Sequence, residues 1–342
     1  MRNDTRQAFS GYLSQIAALS AVASAVEAFT VSPTVQQTLE SKIQESSAFL
    51  KSINIVGVRD LQGEKLGLGI NGPIASRTNT TAAERQTRET HAMDARGYKC
   101  EKTNYDTHIK YATLDMWSKF PDFQARIRDA IIQRQALDRI LIGWHGESVA
   151  ADTDLVAHPL LQDVNKGWLH NLQADSPDRV MDEVVAASGK VKVGKGAGND
   201  YVTLDALVFD ALQLLDPWYR EDPALRVILG RELLHDKFHN IINVEQTAEN
   251  ILASDILMSQ KLVGGLPAVT VPYFPANAIL ITRLDNLSIY YQESARRRYL
   301  LDNPKRDRIE NYESSNDAYV IEQPGLAALV KNIEVEATGP GA

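Results

Sequence analysis

One segment of this chain cannot hold itself in place. Residues 75–97 carry Met93 and a few alanines as their whole apolar content. Such a stretch buries too little surface to offset the entropy of ordering it. A structureless loop of that length is also uncommon inside a compact domain. The chain must therefore fold so that this segment becomes an arm lying on a neighbour, or leave it disordered. Asn71-Gly72, inside a glycine-punctuated run of Gly63, Gly67, Gly69 and Gly72, signals the turn of a short hairpin leading into it.

The rest of the sequence is that of an ordinary globular protein, long enough for about two domains. The 36 Lys and Arg against 44 Asp and Glu leave a net charge of −8, which is no signature of a general nucleic-acid binder. Cys100 is the single cysteine, so no intrachain disulfide is possible. No apolar run reaches the ~18 residues of a membrane helix. Ala23-Ser24-Ala25 imitates a signal-peptidase site, but Asp4, Ser14, Gln15 and Ser20 spoil the charged and apolar regions before it. A cytoplasmic site of synthesis is expected.

The clearest local pattern runs from Phe120 to Gly146. Phe123, Ile127, Ala130, Ile131, Leu137, Ile140, Leu141 and Trp144 recur at helical spacing, with Pro121 near the start and Gly143 and Gly146 at the end. That is a helix of about six turns, ~35 Å long. Arg126, Arg128, Arg134 and Arg139 alternate with Asp122, Asp129 and Asp138 and read as its solvated face. At the N-terminus, Phe9, Tyr12, Ile16, Leu19, Ala23 and Val26 line one face of a second helix, stopped by Ser32-Pro33. This helix either docks on its own domain or pairs with another subunit or a scaffold. A short helix and an Ile53–Val56 strand follow, then a small helix near Leu160–Leu172 and a helix over Leu204–Leu215 capped by Thr203. Helix and strand signals alternate over 201–290, a compact α+β unit. Two strand runs, Ala318–Glu322 and Leu329–Val335, close the chain.

Each chemical motif has a plain structural explanation. His235 and His239 stand at i and i+4, as in zinc helices, but Asp236 replaces the glutamate of the zincin pattern and no third ligand is near. The run Gly194-Lys195-Gly196-Ala197-Gly198 fits neither glycine-rich phosphate-loop pattern. Cys100 has no sequence partner that makes it a nucleophile, and no serine sits in a nucleophile elbow. Arg296, Arg297, Arg298, Lys305, Arg306 and Arg308 form a basic cluster suited to DNA phosphates or to a neighbour's carboxylates. No catalytic residue, metal or cofactor is expected.

Longer runs carry a family resemblance. They include Gln44-Glu45-Ser46-Ser47, Asp122-Phe123-Gln124 with Arg126-Ile127-Arg128, Leu161-Gln162-Asp163-Val164, Val193-Gly194-Lys195-Gly196 and Asp216-Pro217-Trp218-Tyr219. Further on stand Leu266-Pro267-Ala268-Val269, Val271-Pro272-Tyr273-Phe274-Pro275-Ala276, Asn286-Leu287-Ser288-Ile289-Tyr290-Tyr291 and Arg308-Ile309-Glu310-Asn311-Tyr312-Glu313-Ser314. In these the chain resembles the major capsid proteins of peduovirus-type tailed phages, which have the Hong Kong 97 capsid fold, an α+β architecture. The resemblance implies an assembly segment at 1–31, removed by a phage protease at a bond within Val26, Glu27, Ala28, Phe29, Thr30, Val31 and Ser32. It implies an N-arm at 32–59, an extended loop at 60–97, and a peripheral domain at 98–200 with its spine helix at 120–146. An axial domain at 201–290, closing strands at 291–337 and a tail at 338–342 complete it. Pentamers and hexamers would build an icosahedral shell around double-stranded DNA, in a virion assembled in the host cytoplasm, with no membrane. Partners would be an internal scaffolding protein and maturation protease, a portal protein, and decoration or size-determining proteins. Two other readings remain: a cellular nanocompartment shell of the same fold, and a metal-dependent hydrolase using His235 and His239.

Overall fold

The computed structural model describes residues 1–19, 22–64, 69–70, 75–82, 84–87, 91–92, 97–117, 123–234, 237 and 261–336. The helices are α1 (Asn3–Leu19), α2 (Pro33–Glu45), α3 (Ala48–Ser52), α4 (Tyr111–Trp117), α5 (Phe123–His145), α6 (Trp168–Asp175) and α7 (Leu204–Ala211). Pro33 opens α2, where its missing N–H costs nothing. Thr203 caps α7 by accepting the Ala206 N–H at 3.2 Å.

Two sheets organise the body. In the six-stranded sheet the order is Leu262–Val263, Leu266–Val269, Arg226–Leu229, Ile279–Thr282, Ala328–Val330, Val180–Met181. Its central strands are apolar without a break because both faces are covered. Ile228, Leu280 and Leu329 point into a core shared with α2, α3, α5 and α6. Val227, Leu229, Ile279, Ile281 and Val330 point the other way, into a core capped by α7. This sheet draws strands from 180–181 and 328–330 as well as from 201–290, and Leu287–Gln292 belongs to the other sheet. The α+β unit read at 201–290 is thus completed by strands from outside that range, through pairing that is long-range in sequence.

The seven-stranded sheet is built on Arg308–Ile321, a 14-residue strand. It pairs antiparallel with Arg297–Asn303, Leu287–Gln292, Glu101–Asn104 and Thr107–Lys110. Asn54–Val58 runs parallel to Leu287–Gln292, and Phe29–Thr30 forms the opposite edge against Arg297 and Arg298. A ladder of Gln62–Glu64 with Gly97–Lys99 marks the base of the 60–97 segment; Asn71-Gly72 lies outside the described residues.

Helix α5 runs from a small cluster with Tyr111, Leu114 and Ile309 into the core it shares with α2, α3 and α6. Its N-terminal half has one buried face, whereas from Gln135 to Trp144 nearly every position is enclosed. Gly143 sits inside the helix, not at its end. A Cβ there would lie 2.2 Å from the Trp168 ring, so this glycine permits the close α5–α6 crossing. The ring of Trp168 is fully buried, edge-on to Phe49 and Tyr319, and donates to the Ser288 carbonyl at 2.9 Å.

The N-terminal segment departs from the sequence reading. Helix α1 ends at Leu19, and Ala23 and Val26 lie beyond it. Val26 is 45% exposed in a turn, so it does not extend the apolar face. The segment is docked on the body, one of the two placements that its pattern left open. Phe9 packs with Tyr111, Leu114, Ile127 and Ile309, and Ile16 with Ala25, Phe29, Val31 and Leu300. Hydrophobic residues at helical spacing are covered by the nearest apolar trough, which here is in the same chain.

Candidate functional site

Helices α2 and α5 meet through charge. On α2 the buried stripe is Gln36, Glu40 and Ile43, spaced i, i+4, i+7. On α5 the matching stripe holds Ile132, Gln135, Ala136 and Arg139. Arg139 is fully buried, against the expectation of a solvated face; Arg126 and the pairs Arg128–Asp129 and Arg134–Asp138 lie on the outer side of the helix. The reason is position, because Arg139 falls in the enclosed half of α5.

Arg139 binds two carboxylates with its guanidinium. It donates to both Glu40 oxygens, one of them at 3.2 Å, and to both Asp317 oxygens at 3.2 Å. Arg296, also fully buried, donates to Glu40 Oε1 at 2.7 Å, to Glu313 Oε1 at 2.6 and 2.8 Å, and to Gln135 Oε1 at 2.8 Å. Gln135 returns a bond from its amide nitrogen to Glu313 Oε2 at 3.0 Å. Tyr105 and Ser315 donate to Asp317 at 3.2 and 2.6 Å. Five buried charges thus share one hydrogen-bonded network, and the forked Arg139 guanidinium meets both oxygens of Glu40 and of Asp317.

Burial alone would raise the carboxyl of Glu40. The guanidiniums of Arg139 and Arg296 outweigh it and hold it below the usual carboxylate range. At Glu313, burial is likewise overcome by Arg296 and Arg298. Burial opposes the charge on Arg139, but Asp317 and Glu40 push its pKa well up, so it stays ionised. Two guanidiniums face three carboxylates, an excess of one negative charge that the nearby Arg298 offsets at Glu313. All five charged side chains of the arrangement are buried. What it does is fix α2, α5 and the 14-residue strand in one register.

The other sequence candidates fall in different places. Of the basic cluster, Arg296 belongs to this network, Arg298 bonds Asn311 and Tyr12, and Arg308 bonds Glu310. Lys305 and Arg306 sit exposed at a hairpin tip, where Asp307 takes a left-handed conformation. The six residues are therefore not one surface patch. The glycine run cradles a carboxylate of its own chain. Glu336 accepts the Gly196 N–H and the Asn199 amide, each at 2.9 Å, in space that side chains at Gly194 and Gly196 would fill. Burial and the carboxylates of Asp317 and Glu101 push the Cys100 thiol up to about 12, unsuited to nucleophilic work. His235 and His239 lie outside the described residues. Phe9 and Ile16 are buried and Tyr12 half-buried. Within 26–32, Val26, Glu27 and Ala28 are exposed, whereas Phe29 and Val31 are buried.

The family model described as phage major capsid protein, P2 family, matches residues 8–333. The chain is 48% identical to the capsid proteins of Escherichia phage P2 over 344 residues, covering 98% of this chain and 96% of that one. It is 39% identical to the major capsid protein of Serratia phage KSP20, covering 97% of each. Among solved structures, a chain of the satellite phage P4 procapsid including size determination (Sid) protein is 47% identical. It superposes with a TM-score of 0.82 over 99% of this chain and 100% of that one. A capsid chain of an empty GTA particle shares the fold at a TM-score of 0.51 and 16% identity, covering 84% of this chain and 90% of that one. The chain thus has a Hong Kong 97-type capsid fold, with mixed helix and sheet. The chain belongs to the P2 family of phage major capsid proteins, the shell-forming proteins of the phage head.

Proposed function

We propose that this chain self-assembles as pentamers and hexamers into an icosahedral head enclosing double-stranded DNA, as a structural protein with no catalytic role. The observation that carries the reading is the pairing of a rigid body with an arm that has little to bury at home. The ladder of Gln62–Glu64 with Gly97–Lys99 stands at the base of the 60–97 segment, and the apolar content of residues 75–97 within it is too small for self-burial. Neighbouring copies supply the missing surface, and many modest contacts add up across a closed shell.

In this reading 32–59 is the N-arm, 60–97 the extended loop, 98–200 the peripheral domain with its spine helix, and 201–290 the axial domain, with 291–337 closing both. Residues 1–31 are an assembly segment removed in maturation by cutting within 26–32. An internal scaffolding protein and its protease, a portal protein, size-determining or decoration proteins and the packaged DNA are the partners, met in the host cytoplasm. Negative-stain microscopy of the purified chain, alone and with a scaffold partner, tests this. Closed shells or capsomers are expected. A protein that stays a monomer at high concentration with the scaffold present would contradict it.

A further inference from the structure

Helix α1 lies in an apolar trough that the body builds without it. Tyr111 and Leu114 of α4, Ile127 and Ile131 of α5, and Ile109 and Ile309 of the seven-stranded sheet form its floor. Phe9 fills it, with Tyr12 alongside at i+3 and held by the Arg298 guanidinium at 3.2 Å. Ile16, at i+7, drops beside Leu300. This is a helix in a groove, read by anchors at i, i+3 and i+7. None of α1 enters either of the two large cores. Beyond Tyr12, the segment is tied by the Arg2 N–H to Asp115 at 3.0 Å and by Arg6 to Asp302 at 3.9 Å, and Thr5 is fully buried. The fit is also incomplete, since a cavity of about 30 Å³ remains between Phe9, Tyr12, Leu114, Ile127, Ile131 and Ile309.

We infer that this trough is a binding site for an amphipathic helix, and that its competing occupant is residues 1–27 of a second copy of this chain. Residues 26–28 are exposed, and Phe29–Thr30 remain paired to the sheet edge when α1 leaves, although the Leu300 N–H gives up its bond to the Ala25 carbonyl at 3.3 Å. A 17-residue helix has marginal stability alone, which makes it a ligand that orders on docking. Only the supply of second copies rests on the shell reading; the site itself rests on the trough. In a shell, neighbours at high local concentration make the exchange effectively intramolecular. The site thus lets subunits trade their N-terminal helices during assembly.

The test uses the full chain with a specific protease site inserted between Glu27 and Ala28. After cutting, every residue of the chain is still present. Fragment 1–27 is expected to co-elute with the body and to be displaced by excess labelled peptide 1–27. A peptide carrying Phe9→Ser and Ile16→Ser should compete about a hundredfold more weakly, because two buried apolar anchors are lost. Immediate loss of the fragment on cutting would overturn the inference. So would equal competition by both peptides, or retention that neither peptide reverses. Shell formation by the uncut chain is scored separately, so failure of exchange and failure of assembly are told apart.

Discussion

Helices α1 and α2 follow each other in the chain, have similar lengths, and are held in opposite ways. Helix α1 presents Phe9, Tyr12 and Ile16 to a shallow trough. Helix α2 inserts Glu40 between two buried arginines, with Ile43 in the main core beside it. Apolar docking is non-directional, and each lost contact costs only its own burial. A buried ion network is different. Its net contribution to stability is modest, but removing one member strands the others without solvent. The first attachment suits a segment that comes and goes, the second a segment whose place must not change.

The sharpest way to break the contrast is Arg139→Met. It leaves Glu40 and Asp317 short of a partner in the dry interior and should cost about 3–5 kcal/mol. Urea unfolding of the unassembled chain would show it as a lower midpoint. Glu40→Gln should cost less, about 2 kcal/mol. It keeps the shape, and the two remaining carboxylates still balance the two arginines.

Acid should act on the same region. Glu40 and Glu313 titrate lower in the folded chain than in the unfolded one. As pH falls, the unfolded chain takes up protons first. Their contribution is therefore intact above the ordinary glutamate range near pH 4.3 and decays below it. A stability–pH profile should bend there, and Glu40→Gln should flatten the bend. An unchanged profile would mean that the carboxyls of the network are not ionised.

Phe9→Ala should shift the main unfolding transition by less than about 1 kcal/mol, although core Phe→Ala changes usually cost 3–5. The loss should appear instead as undocking of α1, read by protease sensitivity at 22–28. Exchanging Lys305 and Arg306 for alanine should change stability by no more than about 0.5 kcal/mol, since both are exposed at a hairpin tip.

Periodicity located α5, α7, the apolar strands and the trough-facing residues of α1, because burial of one face leaves a regular mark in sequence. It failed where a polar residue was on the buried face. Arg139 stands three residues after Ala136 and four after Gln135, inside the stripe. On α2, Glu40 stands between Gln36 and Ile43 in the same way. A charge on the apolar stripe of each of two helices was the available signal, but their partners Arg296, Glu313 and Asp317 lie far along the chain, and no local rule joins them. Val26 was misplaced because its spacing continued the helical pattern after the helix had ended. The strands that complete the six-stranded sheet were hidden for a similar reason, since pairing of 180–181 and 328–330 depends on topology. The family runs were the most legible part, and they led to the fold directly.

Amide hydrogen exchange on the unassembled chain compares the two helices in one experiment. Amides of α1 should exchange through a local opening that is insensitive to denaturant, about a hundredfold or more faster than those of α2 between Gln36 and Ile43. Amides of α2 should exchange only with global unfolding, together with Ile289 and Tyr319 in the main core. If α1 and α2 share one protection level and one denaturant dependence, then α1 is part of the same cooperative unit, and the division into a locked helix and a detachable one is wrong.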